Sequence, residues 1–372
     1  MLCMILVSCT GQKTGKENDN NDKIAIEVGE IKFPPQDVLQ LKSYYLSSSV
    51  HVDSIDYLIG YNYRLHSLDC MNLKSKSVTQ IVLPGDGPDA IVRLSGIYAQ
   101  SLDSVWISDE SERAFLIDSV GTIKRMIDLK KYLEDQEQLL INTNYAMFTS
   151  HLFYNASRHS LMFLVKHTPS NTFIVKEVFI DEVGKMATYQ LSSSKVVPDM
   201  SKGYAYINFP NVNFVGENIV YNYPVESSIY MLDIRTNERK YILADSHYTS
   251  NIIEKCTTSG DYATLEKHWL ENSHFYDIMY LPKYKIYARL HADKVDFDEK
   301  KGMEKLINER DLYLMLFDEN MEKIGETKLS NCRYSPFTSW NATYGGIALF
   351  VDNVLDEKNN TDDLTIYIIS LK

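Results

Sequence analysis

A repeated strand–turn–strand unit is the feature of this sequence that most restricts its fold. In five segments an apolar strand closes on Asp, a short polar turn follows, and a second strand returns. An Asp side chain can accept a backbone hydrogen bond two residues along the chain, so each Asp is expected to shape a turn rather than to take part in chemistry. The five residues are Asp69, Asp118, Asp181, Asp233 and Asp318.

Two further strands precede each of these pairs. Runs such as IDYLIGYN, SVWISDE and SLMFLVKH are rich in Tyr, Val, Ile, Leu and Phe, which favour strands, and each follows a turn signal. The repeating unit is therefore four antiparallel strands, a to d, close to the length of a propeller blade that carries insertions. The sequence predicts an all-β chain built as a six-bladed β-propeller.

The sixth unit lacks an outer strand. Its third strand is LTIYIISL, and no fourth strand follows it, whereas KIAIEVGEIKF near the N-terminus belongs to no unit. An unpaired edge would invite aggregation, so we expect these two strands to pair and close the ring. The alternative is seven blades, with one blade between Leu243 and His274.

The second unit carries a family likeness. The segment GDGPDAIVRLSGIYAQSLDSVWISDESERAFLIDSVGTIKRMIDL has a Gly-Asp-Gly-Pro turn and an Asp-x-x-Gly hairpin, and it resembles a blade of the TolB-like and NHL-like propellers. The whole chain is similar to an uncharacterised lipoprotein family of the Bacteroidetes, a domain of unknown function. The resemblance implies a six-bladed propeller in the cell envelope and brings no assigned activity.

The N-terminus resembles that of a bacterial lipoprotein. Residues 1–9 form a shortened signal that ends in Leu6-Val7-Ser8-Cys9, similar to a lipobox, whose Cys is acylated. This stretch is far shorter than the roughly 20 apolar residues of a membrane-spanning helix. Residues 10–22 form a polar linker, and residues 23–372 are expected to form a single propeller domain. We expect a lipid on Cys9, with the periplasmic side of the outer membrane favoured over the cell surface.

Charge and cysteine usage restrict the partners. The formal net charge is −12, which argues against a nucleic-acid partner. Cys70, Cys256 and Cys332 are scattered without CxxC spacing, so neither a disulfide framework nor a zinc site is expected. No cofactor and no metal are predicted. The expected partners are the membrane, through the lipid, and an envelope protein, peptide or glycan.

Four long connections are expected on one face of the ring, because d–a and b–c connections emerge together. The longest connection is residues 245–273, in which Tyr262, Leu265 and Trp269 recur at helical spacing. Asp261 is a candidate N-cap, so the segment predicts a helix over the channel mouth. Long loops on a rigid scaffold commonly carry binding sites. The connections are residues 130–144, 245–273, 291–310 and 352–363.

Eight side chains near that face are candidates for contact with a ligand. Aromatic rings can stack on a sugar or hold a peptide, while acids, Arg and His supply hydrogen bonds. His151, His159 and His167 are evenly spaced, but we expect them on separate strands and turns at the surface. The eight candidates are Asp89, Arg93, Asp109, Tyr145, Tyr248, His268, Trp269 and His274.

Two classes of function remain. The first is a binding or scaffold propeller of the envelope. The alternative is a propeller enzyme, a carbohydrate-active hydrolase or lyase with its site at the channel mouth. The sequence contains neither GxSxG nor HExxH, and no catalytic residue is assigned. Binding is therefore the favoured interpretation; carboxylates or histidines converging on the axis would favour the enzyme.

Overall fold

The computed structural model describes residues 25–34, 41–141, 148–196, 204, 208–256, 261–330, 333–335, 340–357 and 363–372. These residues form mainly β-strands. Within this part of the chain, neither helix has the length and apolar character that crossing a membrane requires.

The strands follow one another in blade order. The N-terminal strand and the first two blades comprise β1 (Ile26–Phe33), β2 (Ser47–Val52), β3 (Ile55–Asn62), β4 (Ser67–Asn72), β5 (Val78–Val82), β6 (Leu94–Ser101), β7 (Ser104–Asp109), β8 (Arg113–Ile117) and β9 (Ile123–Asp128). Blades 3 and 4 comprise β10 (Glu137–Leu140), β11 (Phe153–Asn155), β12 (Ser160–His167), β13 (Thr172–Phe179), β14 (Met186–Gln190), β15 (Asn211–Val215), β16 (Asn218–Asn222), β17 (Ile229–Asp233) and β18 (Arg239–Ile242). Blades 5 and 6 comprise β19 (His274–Leu281), β20 (Ile286–Ala292), β21 (Leu312–Phe317), β22 (Lys323–Lys328), β23 (Trp340–Ala342), β24 (Ile347–Phe350) and β25 (Leu364–Leu371).

Six antiparallel sheets form a closed ring, which confirms the six-bladed propeller. Alternating apolar side chains on both faces of each sheet build the core, because each blade packs on two neighbours. The described residues form an apolar cluster between every pair of adjacent blades, including blades 6 and 1. The described residues between Leu243 and His274 form no blade, so the seven-bladed alternative is wrong.

The N-terminal strand closes the ring, as the unpaired edge predicts. β1 is the outer strand of the last blade, and it pairs antiparallel with β25 from Ile26 opposite Leu371 to Phe33 opposite Leu364. Phe33 is fully buried between blades 6 and 1. The last blade is therefore assembled from both ends of the chain.

Most of the repeated aspartates shape turns. Asp118, Asp233 and Asp318 each accept backbone N–H groups of the turn that follows. Asp181 follows β13 and pairs with Arg125 at 3.0 Å. The turn prediction is wrong for Asp69, which is buried within β4 and accepts hydrogen bonds from side chains. The turn after β4 is shaped by Asn72, three residues further along the chain, which accepts two backbone N–H groups.

The ring has two unlike faces. We call the face of the a–b and c–d turns the hairpin face, and the face of the d–a and b–c connections the insertion face. The insertion face carries α1 (Tyr262–Leu270), which begins at the predicted N-cap Asp261, and α2 (Met303–Glu309). An outer strand runs towards the insertion face, so β1 begins at Ile26 on the hairpin face.

The prediction for residues 130–144 is partly wrong. A 3₁₀ turn (Leu129–Tyr132) opens this stretch, but β10 then pairs with β12 beside β11. β10 and β11 together form the inner strand of blade 3, which is therefore made of two separate strands. Buried Lys176 of β13 forms an ion pair with Glu137 of β10, with Nζ and Oε2 2.5 Å apart. This ion pair stabilises the position of β10 in the blade.

Candidate functional site

The inner strands of the six blades surround a central channel that is open in one half. The open half is a cavity of about 410 Å³, which we call the channel pocket. This volume lies within the range of small-molecule sites, roughly 300–1,000 Å³. All six blades line it, with Ser47 and Ser49, Tyr98, His151 and Phe153, Asn213 and Phe214, Asp277 and Tyr280, and Trp340 and Tyr344, in blade order.

The floor of the channel pocket is a buried carboxylate. Asp277 is 1% exposed; its Oδ1 accepts a hydrogen bond from Trp340 Nε1 at 2.7 Å, and its Oδ2 lies 3.2 Å from His151 Nε2. An ionised carboxylate only accepts hydrogen bonds, so His151 carries a proton on Nε2. His151 comes from blade 3 and Asp277 from blade 5, so this bond crosses the channel.

His151 lies at the channel because the chain between β10 and β11 leaves blade 3 and bonds to β15 of blade 4. The backbone N–H of Val212 donates to Thr149 O at 2.7 Å, and that of His151 donates to Val212 O at 3.2 Å. The other edge of β15 pairs with β16, so residues 149–151 lie on the edge that faces the channel. Ser150 donates its hydroxyl proton to Leu140 O at 2.7 Å. These residues, which we call the plug, lie beside the insertion-face end of β15.

The mouth of the channel pocket lies on the hairpin face. Gly216, Pro282 and Tyr344, from the a–b turns of three blades, line it. Tyr344 is 42% exposed and stacks on His51, with ring centroids 4.1 Å apart. His51 Nδ1 lies 2.7 Å from Asp56 Oδ1, so its proton is directed at that carboxylate. The mouth therefore opens on the face where β1 begins.

Three candidates predicted from the sequence lie near the entry to blade 2. Asp109 is buried, and its Oδ2 accepts a hydrogen bond from Arg113 at 2.6 Å. Arg93 is exposed, with its Nε 3.6 Å from Glu110 Oε1, and Asp89 is also exposed. None of the three belongs to the described lining of the channel pocket. Their role in ligand binding stays a prediction.

Two other candidates are part of the core beneath α1. Trp269 Nε1 donates to His274 Nδ1 at 3.3 Å, and both side chains are buried. Burial in apolar surroundings lowers the pKa of His274 well below its ordinary value, so it is neutral at pH 7. These contacts explain both residues as packing.

The remaining candidates are dispersed on the insertion face. His268 lines a second cavity of about 440 Å³, and its Nε2 bonds Glu254 O at 2.6 Å. Tyr248 is 42% exposed and stacks on Tyr313. Tyr145 lies outside the described residues. The structure thus brings Trp269 and His274 together, but it does not bring the seven candidates among the described residues to one site.

Sequence reasoning missed the residues that line the channel pocket. The surface prediction holds for His159, which is 68% exposed, but it is wrong for His151 because the plug carries it inwards. Asp277 lies in SHFYDIMYL and Trp340 in SPFTSWNA, two runs that the repeat pattern predicts as inner strands. Their position in inner strands, which face the channel, was the signal that could have identified them. Among the described residues, no group of three or more His, Cys, Asp and Glu could hold a metal ion.

Solved structures show the same architecture. A member of the DUF4221 family from Bacteroides vulgatus aligns with a TM-score of 0.75 and 14% identity, covering 94% of this chain and 99% of its own. A candidate exported protein from Bacteroides fragilis aligns with a TM-score of 0.56 and 13% identity, covering 94% and 96%. At these identities the likeness shows the fold alone.

The comparison by sequence identifies the family. No curated protein matches the chain. The model of DUF4221, a domain of unknown function, matches residues 17–328, which span all of blades 1 to 5 and most of the chain. This protein belongs to the DUF4221 family.

Proposed function

We propose that this protein is a binding protein of the cell envelope that receives a small ligand in its channel pocket through the hairpin face. The observation that carries the proposal is the cavity of about 410 Å³ to which every blade contributes, with a buried carboxylate at its floor. A well-formed cavity with a few convergent polar groups is where small ligands usually bind.

Catalysis is a second candidate function, favoured by the His151–Asp277 pair. An imidazole held by a carboxylate is a suitable general base. Glycoside hydrolysis, however, generally uses two carboxyl groups across the bond that breaks. Asp277 supplies the one carboxylate in the described lining of the pocket. Binding therefore accounts better for the side chains that are present.

Filling the pocket should weaken ligand binding at least about tenfold. Half-buried Ala342 lines the pocket, so Ala342→Trp places an indole in it, and Tyr344→Ala alters the exposed rim in case the first variant folds poorly. Exposed Ala263 on α1 gives the matched control Ala263→Trp. We expect a compound found by saturation-transfer NMR among sugars, dipeptides, nucleosides and fatty acids to bind at least about tenfold more weakly to Ala342→Trp, which is about 1.4 kcal/mol.

The proposal predicts that Ala263→Trp keeps the affinity of the natural sequence. A compound that binds Ala342→Trp and Tyr344→Ala as tightly as it binds the natural sequence would contradict the proposal. So would a panel in which no compound binds.

We further propose that a lipid on Cys9 holds the protein at the envelope. The lipobox-like residues before Cys9 and the polar linker after it support this attachment, and the likeness to a candidate exported protein supports export. β1 begins on the hairpin face, so a lipid at Cys9 would place the tether and the pocket mouth on the same side. The insertion face would then point away from the membrane.

Substitution of Cys9 tests the anchor. Cys9→Ala, expressed with a full signal sequence, should move the protein from the detergent phase to the aqueous phase in a Triton X-114 partition, because it removes the acylated thiol. Cys256→Ala, at a half-buried position on the insertion face, is the control and should stay in the detergent phase. Detergent partition of Cys9→Ala would refute the anchor.

A further inference from the structure

We infer that the ligand of the channel pocket is a neutral saccharide, held between an aromatic wall and a polar wall. The inference rests on the proposed function and adds the chemical class of the ligand. It follows from the charges, the rings and the hydrogen-bonding groups that line the pocket.

The pocket offers no free positive charge to a ligand. Its described lining contains no Lys or Arg. Its histidines, His51 and His151, each face a carboxylate, so an imidazolium at either position would already be neutralised. Bringing a phosphate or carboxylate group into such a site is costly, because the negative charge loses water without gaining a counter-charge.

One wall of the pocket is aromatic. Tyr98, Phe153 and Phe214 come from blades 2, 3 and 4, and each pair of neighbouring ring centroids is 5.1 Å apart. Phe153 and Phe214 are nearly parallel, at 12°. Tyr98 and Phe153 are only half-buried, so their rings remain accessible from the pocket. The C–H groups on one side of a sugar ring form an apolar surface that such rings remove from water.

The opposite wall, from blades 1 and 6, is polar and presents hydrogen-bond acceptors. The hydroxyl of Ser49 donates to Ala342 O. A serine hydroxyl that has donated its proton keeps two lone pairs. The tautomer of His51 with its proton on Nδ1, directed at a carboxylate, likewise presents Nε2 as an acceptor. This wall therefore suits a ligand that donates hydrogen bonds.

A neutral saccharide combines the three properties that the pocket requires. It is uncharged, one side of its ring is apolar, and its hydroxyl groups are donors. A fatty acid carries a carboxylate and has no row of donors, and a short free peptide carries charged termini. The pocket volume suits one end of a glycan rather than a long chain lying across the ring.

The test compares neutral sugars with their charged counterparts. Glucose, galactose, mannose, xylose, N-acetylglucosamine and their disaccharides are titrated by calorimetry, with glucuronic acid as the charged counterpart. We expect a neutral sugar to bind and its acidic counterpart to bind at least about tenfold more weakly. Ser49→Ala and Phe153→Leu should each weaken binding by about two- to tenfold, since each removes one contact.

Matched substitutions outside the pocket separate these contacts from changes in stability. Ser75→Ala, in an exposed turn, and Phe209→Leu, in an aromatic pair on the insertion face, should leave affinity unchanged. A charged or peptidic ligand that Ala342→Trp excludes would overturn the saccharide inference and leave the proposed function standing. Failure of every saccharide to bind would also overturn it.

Discussion

Removal of residues 1–33 is expected to abolish the folded state, whereas removal of residues 1–22 should leave the melting temperature within about 2 °C of that of the full chain. The longer deletion removes β1, which pairs with β25 along eight residues and buries Phe33. Truncating one buried Phe alone costs about 3–5 kcal/mol, a large part of a typical stability of about 5–15 kcal/mol. The longer deletion also exposes the edge of β25.

Circular dichroism and light scattering during heating measure both effects. Phe33→Ala in the full chain should melt between the two truncations, because it keeps the strand pairing and loses the buried ring. Equal melting temperatures for the two deletions would contradict the role of β1 as the closing strand.

Substitution of Glu326 is expected to have the second large effect. This buried carboxylate accepts hydrogen bonds from Ser246 Oγ at 2.6 Å, from His291 Nε2 at 2.8 Å and from the His247 backbone N–H at 3.0 Å. Glu326→Ala leaves these donors without their acceptor between blades 4 and 5. Leaving a buried donor without its acceptor typically costs about 1–3 kcal/mol for each donor.

Urea unfolding measures that loss of stability. Exposed Glu322 lies on the same blade, and Glu322→Ala should stay within about 0.5 kcal/mol of the natural sequence. A Glu326→Ala variant as stable as Glu322→Ala would contradict the importance of the buried network.

The same network predicts how stability depends on pH. Burial alone would raise the pKa of Glu326, but the hydrogen bonds from His291, Ser246 and the His247 backbone together outweigh it and lower that pKa from 4.5 to about 2. A lowered carboxyl pKa stabilises the folded state above the unfolded pKa, and this contribution is lost as pH falls from about 4.5 towards 2. Burial lowers the pKa of His291, which weakens folding below about pH 6.5 in the same direction.

The blades could be predicted from the sequence because their signals are local. Alternating apolar residues, together with Asp118, Asp233 and Asp318 at the turns, define strand pairs within a few residues of one another. The role of β1 was predictable as well. The sixth unit has no outer strand of its own, and the strand near the N-terminus belongs to no other unit. The burial of Asp69 within β4 could not be predicted, because it depends on hydrogen bonds from Tyr44, Asn62 and Gln80 to its carboxylate.

The channel pocket could not be predicted because its geometry is non-local. His151 stands in a segment that reads as the inner strand of blade 3, yet it pairs along blade 4 and reaches Asp277 of blade 5. Trp269 is the opposite case. Its helical spacing with Tyr262 and Leu265 made it a candidate for ligand contact, but it is 2% exposed because it packs in the core between blades 3 and 4.

The most direct test of the binding site uses the three tryptophans of the chain, Trp106, Trp269 and Trp340. Trp340 lies at the floor of the channel pocket, Trp269 is a buried residue of α1 on the insertion face, and Trp106 packs in blade 2. With 5-fluorotryptophan incorporated, each gives one ¹⁹F resonance, assigned by Trp→Phe substitution. Our account predicts that adding a neutral saccharide moves the Trp340 resonance and leaves the other two in place. A shift of Trp269 with Trp340 unmoved, or no shift at all, would contradict it.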